Sequence, residues 1–150
     1  MFTKLNTIKL MGIFCLILLN SFPATGAETK GEELIFISNR SVPAVSLTKN
    51  DIKYLFMGKK KTWANGTMTV VTMPEDPVFK KMFLHKYINK SPESFERYWK
   101  SKMYTSGNNA PLQFAKVKNL VAFVSTTKGA IGVIPIRYYN DSLKIMYIEK

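Results

Sequence analysis

Two short runs of apolar residues constrain the fold of this chain more than any other feature of the sequence. Leu34-Ile35-Phe36-Ile37 and Ala130-Ile131-Gly132-Val133-Ile134 contain no polar side chain. Strands of this composition are typically buried on both faces, as in a parallel sheet that is covered by helices. The two runs therefore predict an α/β arrangement rather than an open antiparallel sheet.

The segments between these strands carry the periodicity and capping residues of helices. Thr48 and Asp51 match a capping box, Asp76-Pro77 matches an N-cap followed by proline, and Gly58 suits a left-handed helix end. The predicted strands cover 33–38, 68–72, 130–135 and 143–148, and the predicted helices begin at Thr48, Asp76, Ser91 and Leu112, the last running to residue 127. This order predicts one α/β domain whose mixed, mostly parallel sheet of four to five strands is flanked by helices.

The first 27 residues have the pattern of a secretory signal peptide. Lys4 and Lys9 precede the apolar run Leu10–Leu19, and small residues follow it up to Ala27. We therefore expect cleavage near Ala27, a domain over 28–150, no transmembrane anchor after cleavage, and a periplasmic or secreted location. The alternative is an uncleaved anchor, which the short apolar run and the small residues disfavour.

The positions of cysteine and of charged residues limit the disulfides and the binding partners that the chain can have. The single cysteine, Cys15, lies in the predicted leader, so the domain is expected to lack disulfides. The formal net charge is +12, and no acidic residue occurs in 52–74 or from Arg97 to Asn140. Such a field attracts small anions, acidic polymers or anionic membrane surfaces, and export argues against nucleic acid as the partner. The simpler interpretation is a surface that keeps the protein soluble.

No enzymatic motif is apparent in the sequence. His85 is the only histidine, which we interpret as a half-buried structural residue, and no transition-metal ligand set accompanies it. There is no nucleophile elbow and no phosphate-binding Gly-x-x-x-x-Gly-Lys loop. Acid pairs at helix starts, such as Glu75-Asp76, are explained by the helix dipole. We therefore predict a non-enzymatic protein without catalytic residues, metal or cofactor.

The sequence still allows one function, the binding of an anion by backbone N–H groups. In a parallel sheet covered by helices, ligands lie beyond the carboxyl ends of the strands, at the N-termini of helices. Two segments with suitable polar groups are Ser38-Asn39-Arg40 and Thr105-Ser106-Gly107, which we take as candidate anion contacts. A third, Met73–Asp76, carries two carboxylates that repel an anion. The basic loop Lys59-Lys60-Lys61 with Trp63 is a candidate partner-binding surface, and Trp63 either covers the sheet end or contacts that partner.

A longer stretch resembles a known family. Asp51-Ile52, Leu55-Phe56-Met57-Gly58-Lys59 and Thr62-Trp63-Ala64-Asn65-Gly66 are similar in order and spacing to a segment of the periplasmic phosphate-binding proteins of ABC importers and their small relatives. Gly129-Ala130-Ile131-Gly132 resembles a second motif of that family. The resemblance covers about 33–136 and implies a single type-2 periplasmic-binding-protein-like lobe.

The same resemblance implies where an anion would bind. In the phosphate binders, an arginine and a glycine- and hydroxyl-rich loop follow the second strand and hold the anion. Here Met73-Pro74-Glu75-Asp76-Pro77 occupies that position, so the arginine, the glycines and the hydroxyls are missing.

Two functions follow as hypotheses. The first is an exported solute-binding-like protein for phosphate or another small oxyanion, working with an ABC permease and open to pairing as a homodimer. The second is a ligand-free interaction module that docks on an envelope protein or acidic polymer through its basic face.

Overall fold

The computed structural model describes residues 32–44, 46–106 and 108–148. The predicted leader, with Cys15 and the cleavage site near Ala27, lies outside the described residues, and so does the candidate anion contact Gly107. All statements below refer to the described residues.

The elements follow the predicted order with one addition. The strands are β1 (Leu34–Ser38), β2 (Val70–Pro74), β3 (Leu112–Phe114), β4 (Ala130–Pro135) and β5 (Lys144–Ile148). The α-helices are α1 (Lys49–Phe56), α2 (Pro77–Phe83), α3 (Pro92–Ser106) and α4 (Val117–Thr126), with a π-helical turn over Leu84–Ile88 and a 3₁₀ turn over Ile136–Tyr138. The expected caps form, since Thr48 and Asp51 make a reciprocal capping box and Asp76 caps α2.

The five strands form one sheet in the order β3-β2-β4-β1-β5. β2 pairs in parallel with β3 and β4, whereas β1 pairs antiparallel with both β4 and β5. Four strands therefore run in one direction and only β1 runs in the other. This confirms the predicted α/β class with a mixed, mostly parallel sheet flanked by helices.

The prediction of a helix from residue 112 was wrong over its first turn. Leu112–Phe114 instead extends the sheet as edge strand β3, and α4 begins only at Val117. The register pairs Thr72 with Leu112, and the amide of Glu75 donates to the carbonyl of Phe114 over 3.0 Å. These contacts come from a distant strand, so three residues adopt a conformation that their own periodicity did not indicate.

The core lies on both faces of the sheet. Leu34 and Phe36 of β1 pack toward α1, α2 and α3, and Ile35 and Ile37 pack toward α4. All four side chains are buried, as the apolar run predicted. His85 lies on the π-helical turn and is exposed, so its interpretation as a half-buried residue was wrong.

Candidate functional site

The direction of β1 separates the candidate segments. We call the end of the sheet where β2, β3 and β4 begin the amino edge, and the end where they finish the carboxyl edge. Since β1 is antiparallel, Ser38 pairs with Ile131, near the start of β4. Ser38-Asn39-Arg40 therefore lies at the amino edge, opposite the loop that follows β2.

At the carboxyl edge, residues of the chain itself cap the N-terminus of α2. The Asp76 carboxylate accepts a hydrogen bond of 2.8 Å from the backbone N–H of Phe79. Pro77 at the first helical position has no N–H to offer. The backbone donors that hold anions at helix N-termini are thus reduced in number, and a fixed negative charge lies beside those that remain.

Further carboxylates surround this helix start. The four carboxylates of Glu75, Asp76, Glu93 and Glu96 line a pocket of about 820 Å³ and outnumber its two lysines, Lys81 and the buried Lys80. The Lys80 ammonium donates to Glu96 over 2.9 Å and to Gln113 over 3.4 Å. A hydrogen bond with Ser91, then its own backbone amide and the charges of Arg97 and Lys81, lower the pKa of Glu93. This pocket is therefore acidic at neutral pH and unfavourable for an anion.

At the amino edge, Asn39 has a structural role. Its Nδ2 donates to the carbonyls of Val124 (3.0 Å) and Ser125 (2.8 Å), and its Oδ1 accepts from the amide of Ser41 (2.9 Å). The side chain thereby satisfies carbonyls in the last turn of α4. The neighbouring Ser38 is buried, and its hydroxyl has no hydrogen-bond partner among the described residues, while Arg40 is exposed.

The second candidate segment forms the end of α3. The Thr105 hydroxyl donates to the carbonyl of Ser101 over 2.9 Å, and the Ser106 hydroxyl donates to that of Lys102 over 3.0 Å. Both residues are exposed. Thr105 and Ser106 therefore lie at the C-terminus of α3, whereas an anion prefers a helix N-terminus. The next helix, α4, begins only after β3, so its N-terminus is not formed by these residues.

The basic loop Lys59–Lys61 connects α1 to the hairpin before β2. The Lys59 ammonium lies 5.5 Å from the Tyr54 ring centroid, and Lys59 is exposed. The Lys60 ammonium lies 3.5 Å from the Asp51 carboxylate and 5.7 Å from the Trp63 ring centroid. Lys61 is exposed and makes no ion pair with any described residue. Among the described residues, Lys59 and Lys61 of this loop therefore have no ion-pair partner, whereas Lys60 is paired with Asp51.

Trp63 covers the end of the sheet. It is 3% exposed, and its indole Nε1–H donates to the carbonyl of Gly129 over 2.9 Å. Of the two roles that the sequence left open, the structure supports the first. The ring is not accessible for contact with a partner.

A cleft of about 390 Å³ lies at the amino edge beside the basic loop. Lys60 and Lys61 line one side, and Asn108 and Asn109 belong to the loop that leads into β3. Trp99 of α3 also lines the cleft, and none of the described residues that line it is acidic. Sequence reasoning missed the asparagines, because only the pairing of β3 with β2 brings their loop to Lys60 and Lys61. It also missed Trp99, which reaches the cleft from α3.

The described residues contain no group of three or more His, Cys, Asp or Glu side chains placed to hold a metal ion. None of the helices in the described part of the chain combines the length and hydrophobicity needed to cross a bilayer.

Comparison with known proteins supports the fold. No protein-family model matches the chain, and no curated protein matches it in sequence. Solved structures do match: an ABC-type phosphate transport receptor from Vibrio cholerae (17% identity, TM-score 0.51) and PstS from Borrelia burgdorferi (16%, 0.57). A third is described as a phosphate ABC transporter substrate-binding protein with bound phosphate, from Clostridium perfringens (19%, 0.60).

The chain therefore shares the fold of a single lobe of these phosphate ABC transporter proteins. The matches cover 77% of this chain but only 45%, 44% and 46% of the three solved chains in turn. The chain thus spans less than half the length of these proteins. At this level of identity, the likeness establishes the fold alone.

Proposed function

We propose that this chain is an exported, non-enzymatic solute-binding lobe that takes a small anion at the amino-edge cleft. The observation that carries the proposal is the contrast between the two edges of the sheet. Lys60 and Lys61 line the cleft, and among the described lining residues none is acidic. At the start of α2, the chain's own Asp76 occupies the helix N-terminus. A small anion is therefore favoured at the amino edge and disfavoured at the carboxyl edge.

The fold supports a solute-binding role. One of the solved proteins that share it has bound phosphate, which makes phosphate the first oxyanion to test. Ser38, Asn39, Arg40, Thr105, Ser106 and Gly107 stay candidate anion contacts from the sequence, although Gly107 lies outside the described residues and the other five are not among the residues that line the cleft. Asn39 is the weakest of them, because the chain itself already uses both polar ends of its side chain.

We extend the proposal to location and partners. A cleaved leader over residues 1–27 would place the domain in the periplasm or outside the cell. There the lobe would deliver its anion to an ABC permease. Because the chain matches less than half of each receptor, a second copy would supply a lobe of similar size. Sedimentation of the purified domain with and without ligand tests whether such a homodimer forms.

The binding proposal is tested by calorimetric titration and thermal-shift assays with phosphate, sulfate and simple carboxylates. We expect at least one anion to raise the melting temperature of the wild-type domain and to lose this effect in the double variant Lys60→Glu/Lys61→Glu. Asp76→Ser serves as the matched control at the other edge, since serine also caps helices. The proposal fails if none of the anions produces heat or a thermal shift.

A second candidate function is an interaction module without a small ligand. Lys59 and Lys61 are exposed and lie on one loop, and Tyr54 beside them is 46% exposed. This surface suits an acidic segment of an envelope protein or an acidic polymer. We expect the triple variant Lys59→Glu/Lys60→Glu/Lys61→Glu to lose recovery of an envelope partner in pull-downs.

The matched control reverses three exposed lysines elsewhere, Lys116, Lys118 and Lys128. Equal recovery with wild type and the basic-loop variant would exclude docking through this loop. A comparable loss with both triple variants would mean that only the net charge matters.

A further inference from the structure

We infer that the amino-edge cleft binds an organic monoanion, a carboxylate carried on an apolar body, rather than an inorganic oxyanion. This inference rests on the proposed function, because it specifies the class of anion that the same cleft takes. It draws on the position of the two lysines, on the charge they leave unshared and on the apolar lining of the cleft.

The backbone of the two lysines is held in place by Thr69, the residue that precedes β2. The amide of Thr69 donates to the carbonyl of Lys61 over 2.9 Å, and its hydroxyl donates to the carbonyl of Lys60 over 2.9 Å. These bonds fix the backbone of the basic loop against the residue that precedes β2. The ammonium groups are thus carried on an ordered backbone, which lowers the entropy lost when a ligand binds.

One lysine at the cleft, Lys61, has a positive charge without an ion-pair partner among the described residues, which suits a ligand with one negative charge. Lys60 shares its charge with Asp51 at 3.5 Å, whereas Lys61 has no ion-pair partner among the described residues. The side-chain amides of Asn108 and Asn109, which also line the cleft, are uncharged donors. A carboxylate accepts hydrogen bonds at both oxygens and carries a single charge, so it suits this set.

The remaining lining is mostly apolar. Eight of the fourteen lining residues are apolar, including Leu55, Trp99, Met68 and Leu112. Met68 is 62% exposed and Leu112 is 43% exposed, so both offer apolar surface that a ligand would cover. A small, strongly hydrated dianion would lose water against these walls without gaining hydrogen bonds. An apolar body attached to the carboxylate gains from the same contact.

The dimensions agree with a small molecule. Protein sites for small ligands measure roughly 300 to 1,000 Å³ and combine apolar walls with a few polar groups. The cleft, at about 390 Å³, lies at the lower end of that range. Room for a short apolar chain with one polar head is therefore available without rearrangement of the fold.

The test uses octanoate as probe, below its micelle concentration, with 1-octanol as the neutral analogue and inorganic phosphate as the purely polar one. Calorimetry on the mature domain should give saturable binding of octanoate, and weaker binding of octanol by about threefold or more, as expected for a half-exposed ion pair. Phosphate should not compete with octanoate.

Variants locate the site. Lys61→Ala should weaken octanoate binding by about three- to fivefold, the range of exposed charge pairs, while Lys61→Arg retains it. Leu112→Glu, which adds a negative charge at the rim, should abolish it. Lys118→Ala removes an equal charge from exposed α4 and should have no effect. Melting curves of all variants confirm that each is folded.

Each other outcome has a defined meaning. Saturable phosphate binding without octanoate binding would overturn this inference and leave the proposed solute-binding function intact. Binding of neither octanoate nor phosphate would overturn this inference, and the proposed function would fall with it only if sulfate and the simple carboxylates also failed to bind. Equal affinity for octanol and octanoate, or equal binding by Lys61→Ala and wild type, would show that the charged head does not lie at Lys61, and would overturn the assignment to this cleft.

Discussion

The indole N–H of Trp63 donates a hydrogen bond of 2.9 Å to the carbonyl of Gly129, a residue 66 positions later in the chain. The bond ties the hairpin that follows the basic loop to the start of β4. It also fixes the amino edge of the sheet, where the cleft lies. The geometry of the proposed site therefore depends on a buried contact that does not itself touch the cleft.

The first prediction concerns this bond. Trp63→Phe keeps most of the ring but removes the donor, and we expect the free energy of unfolding to fall by about 1 kcal/mol. The loss is modest because the Gly129 carbonyl also accepts from the amide of Val70 over 3.2 Å. Urea denaturation at neutral pH measures it.

Trp99→Phe is the matched control for this prediction. The Trp99 indole N–H is buried but has no acceptor among the described residues, so its removal breaks no hydrogen bond. A greater loss of stability for Trp99→Phe than for Trp63→Phe would contradict the role given to the Trp63–Gly129 bond.

A second prediction separates backbone strain from steric clash at two glycines. Gly66 and Gly129 have φ values of +77° and +76°, but only Gly129 is crowded. A Cβ at Gly129 would lie 2.1 Å from the Met68 carbonyl oxygen, whereas a Cβ at Gly66 meets nothing within 4 Å. We expect Gly66→Ala to cost about 1 kcal/mol and Gly129→Ala about 3 kcal/mol or more. The denaturation midpoints of the two variants measure these losses of stability. Equal losses would show that the steric clash at Gly129 adds nothing to the backbone strain.

The third prediction is a pH dependence. Hydrogen bonds with the Thr48 hydroxyl and backbone, and to a lesser extent the charge of Lys60, lower the pKa of Asp51 below 3.8. A carboxyl whose pKa is lower in the folded state stabilises the fold above its unfolded pKa, and this contribution is lost as the pH falls through the folded pKa. Asp51→Asn should therefore be less stable than wild type at neutral pH.

The difference between Asp51→Asn and wild type should shrink as the pH falls below the ordinary Asp pKa of 3.8, and should disappear below the lower pKa of the folded state. Chemical denaturation of both proteins across the acid range provides the measurement. A stability difference that stays constant down to the lowest pH would mean that the capping box acts through shape and not through charge.

A fourth prediction concerns export. We expect the mature protein to begin near residue 28 and to lack Cys15, because the leader has the pattern of a cleaved signal peptide. Mass spectrometry of the protein from the extracytoplasmic fraction tests this, with thiol labelling as a second readout. A full-length, thiol-reactive product in the membrane fraction would support the uncleaved anchor.

Much of the fold was predictable because its signals are local. The apolar run Leu34–Ile37 indicated a strand buried on both faces, and the structure buries every residue in it. Thr48, Asp51 and Asp76 marked the helix starts through hydrogen bonds within a single turn, and Pro77 did so through its fixed backbone angle. Such features depend on neighbours in the sequence, so they can be inferred without knowledge of the tertiary structure.

The placement of the candidate site depended on contacts between distant segments. Nothing local to Ser38 shows that β1 runs against β2, yet that direction puts Ser38-Asn39-Arg40 and the start of α2 at opposite edges. Likewise, nothing local to Leu112–Phe114 shows its pairing with β2, which brings Asn108 and Asn109 beside Lys60 and Lys61.

The sequence by itself determined the α/β class and the order of most elements, because composition, capping and periodicity act over a few residues. Only the tertiary structure decided the relative directions of the strands and the burial of Trp63. It also decided that the basic cleft and the acidic pocket lie at opposite edges of the sheet. The reason is physical, since strand direction and pairing are determined by long-range packing and hydrogen bonds rather than by the residues of one strand.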